Sequence, residues 1–129
     1  MHEFSVSQAI YNAVMNEAKK RGAERILKVE LSIGELTLLN PEQVVFWLGI
    51  LFEGGIGEGA EIVVEEIGSS IFCENCFYRG GIRAEDEDHF LPVFRCPRCG
   101  SGKIKIERGR ECYIKAIEIG GKDVPCESI

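Results

Sequence analysis

Two CxxC knuckles carry the strongest chemical signal in the chain. Cys73-Glu74-Asn75-Cys76 and Cys96-Pro97-Arg98-Cys99 are separated by nineteen residues. Two residues between thiolates let a tight turn aim both sulfurs at one ion, and two such turns complete a tetrahedral four-sulfur shell. Gly100 can take the positive φ that these turns often need, and Pro97 stiffens its knuckle while removing one amide. A closed shell leaves no open coordination position, so the expected metal is a structural zinc. Redox dithiols, or iron in the same shell, are the alternative uses of this spacing. Cys112 reads as a small core residue on the last strand, and Cys126 as a free thiol in the tail.

The second signal is His2. An imidazole at position two can close chelate rings with the N-terminal amine and with its own backbone nitrogen. A d8 ion such as Ni(II) can displace the amide proton and sit in a square-planar nitrogen field. The Met1 amine, the His2 amide and the His2 imidazole supply three corners. The other histidine, His89, lies in the long loop between the knuckles and is the candidate fourth ligand. Taken alone, a histidine at position two is more often an exposed, inert residue. His89 beside the acidic run Glu85 to Asp88 is more often a solvated loop residue. Glu3 could cap the first helix or hydrogen-bond to His2.

These groups need elements to hold them. Ser5 and Gln8 fit a capping box, and Val6, Ile10, Val14 and Ala18 recur at helical spacing, with Gly22 placed to stop the helix. A helix is predicted from about Val6 to Arg21, with residues 1–3 outside it. Leu27, Val29, Leu31 and Ile33 alternate with polar residues, the period of a half-buried strand. Asn40-Pro41 opens a second helix, whose apolar face is Val44, Trp47, Leu48, Leu51 and Phe52. Ile62 to Ile67 reads as a second strand. After Gly68 the pattern loosens into cysteines, glycines and prolines. Ile104 and Ile106 mark a short strand, Gly109-Arg110 a turn, and Cys112 to Ile119 a last strand.

The expected fold is α+β: a small sheet of about three strands with two helices, plus an inserted four-cysteine zinc-ribbon module. Residues 1–69 form the nickel-binding α/β domain, completed by strand 110–119. Residues 70–109 form the zinc module, and 120–129 a loose tail. A module of about forty residues with few large apolar groups needs a metal staple. An insert between strands of one sheet makes either a monomer or a domain-swapped dimer physically possible.

Composition narrows the rest. The chain has 129 residues, 45% of them hydrophobic, enough for one core and a small second module. The stretch Val44 to Phe52 is too short to cross a bilayer, and Met-His-Glu-Phe lacks the basic and apolar regions of a secretory signal, so a cytoplasmic location is expected. Net charge is −6, without the basic footprint usual for nucleic-acid binding. No nucleophile–base pair, phosphate loop or open metal shell suggests an enzyme.

Met1-His2-Glu3, Ser7, Ala9-Ile10, Ile33-Gly34-Glu35-Leu36, Glu58-Gly59-Ala60 and the two CxxC pairs together resemble the HypA family of hydrogenase maturation factors, from Met1 to about Ile119. The resemblance implies a nickel metallochaperone. It implies nickel at His2 with Glu3 supporting the metal or partner contact, and zinc at Cys73, Cys76, Cys96 and Cys99. It further implies a nickel-binding maturation GTPase as partner, and the large-subunit precursor of a [NiFe]-hydrogenase as client, with urease served by some members. Bacterial members often carry histidines after the second cysteine of each knuckle. Here Phe77 and Gly100 stand there, and the long loop with His89 looks more like archaeal members. A zinc-ribbon interaction or nucleic-acid module would explain the cysteines equally well, but not the Met-His-Glu start.

Overall fold

A computed structural model describes residues 2–82, 94–120 and 127–128. Met1, His89 and Cys126 lie outside the described residues. The elements run α1 (Glu3–Lys20), β1 (Arg25–Gly34), a short 3-10 helix (Glu35–Thr37), α2 (Pro41–Phe52), β2 (Glu61–Ile67), β3 (Ser70–Cys73), β4 (Arg79–Gly80), β5 (Ile104–Arg108), β6 (Cys112–Gly120) and β7 (Glu127–Ser128). They build a four-stranded sheet of order β2-β1-β6-β7 and a three-stranded sheet of order β4-β3-β5. The chain divides into two compact units. One comprises Met1–Ser32, Leu39–Glu65 and Tyr113–Ile129; the other Ile33–Leu38 and Glu66–Cys112.

In the first unit, α1 buries Ser7, Ile10, Val14 and Ala18, a stripe spaced three and four residues apart. The helix packs against α2, which buries Val44, Leu48 and Phe52. Burial of each such large apolar side chain contributes roughly 1.5–3 kcal/mol. The polar member of the stripe, Ser7, is completely buried. Its hydroxyl donates to the Glu3 carbonyl at 2.6 Å and lies 3.2 Å from the Val44 carbonyl. β1 and β6 are tied by Glu24 N–H to Gly120 O at one end and by Gly34 N–H to Glu111 O at the other, so they run antiparallel.

Three expectations about the helices and long strands change. The first helix starts at Glu3, not Val6, and its N-cap is His2, without a side-chain cap hydrogen bond. Ser5 caps nothing because the helix is held one turn earlier by longer-range bonds. Cys112, expected in the core, is exposed; it stands at the start of β6, whose burial begins only at Ile117. Within the tail, residues 127–128 add a fourth strand, pairing Glu118 with Ser128 and Ile119 with Glu127.

The second unit is smaller. Leu36, Ile71 and Ile82 form its buried core, with Tyr78, Phe94, Ile104 and Ile106 packed against it. Ile71 faces Ile106 on one neighbour, and Phe72 faces Arg79 and Lys105 on the other side of the pleat. The IGEL segment belongs to this unit through its backbone. Leu36 N–H donates to Gly109 O at 2.8 Å, and Gly34 approaches Gly109 so closely that a Cβ at Gly34 would overlap its carbonyl. Gly34→Ala therefore has to move backbone, and is expected to cost about 3 kcal/mol. Urea unfolding checks this; an unchanged midpoint would show that the turn yields freely.

Glu111 closes the same turn. Its Oε1 accepts from the Gly109 and Arg110 amides at 2.6 and 2.9 Å. The Gly109 amide first, then the glutamate's own amide, hold its carboxyl below the ordinary range, with burial opposing. A carboxylate lowered on folding stabilises above its unfolded pKa of about 4.3, and that contribution fades as pH falls below it. Glu111→Gln should lower stability at pH 7 and change it little well below about pH 4, which flattens this acid limb. A parallel shift at both pH values would contradict the assignment.

Candidate metal sites

The four CxxC thiols converge. β3 ends at Cys73, and the turn after it brings Cys76 back through Phe77 N–H to Cys73 O at 2.9 Å. The second knuckle repeats the device, with Gly100 N–H to Cys96 O at 2.8 Å. Gly100 has φ 76 and Phe77 φ 64, so both turns close in the left-handed region, easily at glycine and with strain at phenylalanine. All four Sγ atoms lie within 4.8 Å of one another, with Cys73 to Cys99 and Cys76 to Cys96 at 3.6 Å. A tetrahedron of sulfurs about 2.3 Å from a central zinc has edges near 3.8 Å, so the donor set and its spacing fit that ion.

Neighbouring donors prepare the sulfurs. The Cys76 amide points at Cys73 Sγ (3.5 Å), the Arg98 amide at Cys96 Sγ (3.4 Å), and Asn75 Nδ2 at Cys99 Sγ (3.7 Å). The Ser101 amide and then Asn75 bring the Cys99 thiol down to about 6. Burial opposes ionisation of Cys96, but the Cys99 and Arg98 amides outweigh it and lower that thiol too. Burial pushes Cys76 up to about 12. Metal capture here must expel protons, so it weakens in acid.

At the other candidate site, His2 is exposed at the N-cap of α1. The next residue is anchored. Glu3 Oε2 accepts from the Asn40 amide at 3.0 Å, and Asn40 Oδ1 in turn caps α2 by accepting from Glu42 and Gln43. Burial pushes the Glu3 carboxyl up, but the N-terminal ammonium and the Asn40 and Glu3 amides outweigh it and hold it at about 2. The first turn of α1 is thus fastened to the start of α2 by Glu3 and by Ser7. Sequence marked Asn40 as a cap but gave no sign of this link across 37 positions, and Ser7 stood out only through the family resemblance. His89 and Met1, named with His2 as ligands, lie outside the described residues.

A packed helix pair and a four-stranded sheet, with a four-cysteine knuckle unit inserted before its last long strand, define a small α+β metal-binding protein. The family model for hydrogenase/urease nickel-incorporation metallochaperones, HypA, matches residues 1–119, and the chain belongs to that family. The hydrogenase maturation factor HypA of Methanothermobacter thermautotrophicus is 46% identical over 123 residues, covering 95% of this chain and 100% of that protein. The HypA of Methanopyrus kandleri is 39% identical over 142 residues, 98% of this chain and 96% of the relative. The solution structure of the Ni metallochaperone HypA from Helicobacter pylori shares the fold, with a TM-score of 0.62 at 23% identity over 95% of this chain and 100% of that one. By family the protein is a nickel metallochaperone of hydrogenase maturation and not an enzyme. Among the described residues no helix is long and apolar enough to cross a membrane.

Proposed function

We propose that the chain binds Ni(II) at its N-terminus and hands it to the large-subunit precursor of a [NiFe]-hydrogenase, working in the cytoplasm with a nickel-binding maturation GTPase. The Met1 amine, the His2 amide nitrogen and the His2 imidazole are the proposed ligands, with His89 as the fourth. The observation that carries this reading is the placement of His2: exposed at a helix start whose next residue, Glu3, is fastened to Asn40. A site on an anchored first turn is open to a partner yet holds its ligands near one geometry. Glu3 supports it from outside the coordination shell, because its carboxylate is already engaged. Zinc is the proposed resident of Cys73, Cys76, Cys96 and Cys99, where it staples a unit with a small core and takes no part in transfer.

Metal analysis tests the division of labour. The protein loaded with both ions should hold one zinc and one nickel per chain, and a mild chelator should strip nickel while zinc stays. Loss of both metals together would contradict two separate sites.

A further inference from the structure

α2 carries an outward face that the fold does not use. Phe46 is 55% exposed and Ile50 41%, and beside them Phe4 of α1 is 45% exposed. Helical spacing puts Glu42, Phe46, Gly49, Ile50 and Glu53 on one side of α2 and its C-cap, opposite the buried Val44, Leu48 and Phe52. The aromatics are ordered rather than loose. Phe4 meets Trp47 edge-on at 5.0 Å, and Trp47 meets Phe46 edge-on at 5.3 Å. At the centre stands Gly49, exposed, with open space where a Cβ would be. Glycine inside a helix weakens it, and none of the described residues comes close enough to require one there. A glycine at the middle of an exposed apolar ridge lets another helix cross at short interaxial distance. The ridge is bounded by carboxylates at both ends, Glu42 and Glu53, about 16 Å apart along the axis, and α2 has no basic residue.

We infer that this face is a docking surface for an amphipathic helix of a protein partner. That helix carries an apolar stripe, a small residue where it crosses Gly49, and basic residues at both ends. Rigid, partly exposed aromatics are the usual anchors of such contacts, and the carboxylates set orientation and encounter rate. A second copy is the wrong occupant: a two-fold contact through this face would set glutamates against glutamates in either direction. The surface is defined without reference to nickel, so its failure would leave the nickel reading standing.

The test titrates the full chain, by calorimetry and amide NMR, with two synthetic helical peptides. Both have a leucine stripe and a central alanine; one ends in lysines and the other in glutamates. The lysine-ended peptide should bind and shift the amides of Phe4, Phe46, Gly49 and Ile50, at least about tenfold more tightly than the glutamate-ended one. Phe46→Ala and Gly49→Leu should each weaken it by at least about tenfold, and circular dichroism checks that both variants remain folded. Glu42→Lys with Glu53→Lys should reverse the preference. Equal binding of the two peptides, binding indifferent to Phe46→Ala and Gly49→Leu, or no binding at millimolar peptide would overturn the inference. So would a dimer in sedimentation that Phe46→Ala dissolves, which would assign the face to a second copy.

Discussion

Cys76→Ser is expected to release the resident metal and unfold the second unit while the first stays folded. The reason is the balance of forces within residues 33–38 and 66–112. Three buried apolar residues, Leu36, Ile71 and Ile82, form the core, and the remaining aromatics and isoleucines only flank it. A two-residue strand and a five-residue strand pair with β3, too little sheet to stand alone. A structural zinc in a cysteine shell supplies roughly 10–16 kcal/mol of apparent binding free energy at pH 7, more than such a core can replace. Losing one thiolate opens the shell and forfeits much of that. Amide spectra should show residues 70–80 and 96–108 collapsing to unfolded positions, while Val14, Val29 and Leu48 keep native shifts. Retained dispersion in both sets would mean that hydrogen bonding and the small core suffice without the metal. Cys112→Ser, at an exposed position, serves as the control and should change neither.

His2→Ala should abolish tight nickel binding and leave the cysteine site intact. Removing a ligand costs more than the roughly 10–100-fold typical of removing a group behind one, so the loss should exceed about 100-fold. Glu3→Ala should fall inside that outer range, because in the proposed site Glu3 acts by holding the first turn to Asn40 at 3.0 Å. Nickel affinity should also drop in acid, since the amine, the amide and the imidazole must all shed protons to bind. Competition with a nickel-sensitive dye measures all three effects. A His2→Ala protein that binds nickel as tightly as the unaltered chain would remove the N-terminal site from the account.

The cysteine quartet was legible because its geometry is local: CxxC spacing and a glycine after the second pair are enough to draw the turns. Asn40-Pro41 was legible for the same reason, being a cap and a first helical position side by side. The start of α1 was not, because Ser5 and Gln8 form a plausible capping box while the real restraint comes from Asn40, 37 residues away. Cys112 misled because a cysteine on the last strand reads as a small core residue, whereas burial along β6 sets in only at Ile117. The assignment of Ile33–Leu38 to the second unit depends on the close passage of Gly34 by Gly109, a contact that no periodicity encodes.

A nickel titration of the zinc-loaded protein, comparing the native N-terminus with one extended by two residues, tests the central claim most directly. Absorption in the visible range reports a square-planar nitrogen site. The extension keeps His2, Glu3 and the fold but moves the amine away and turns the ligand geometry into an ordinary peptide. The account predicts that the extended protein loses the absorption band and tight binding while its zinc content is unchanged. Equal affinity and an equal band in both forms would contradict it, placing the nickel on groups other than the chain's first two residues.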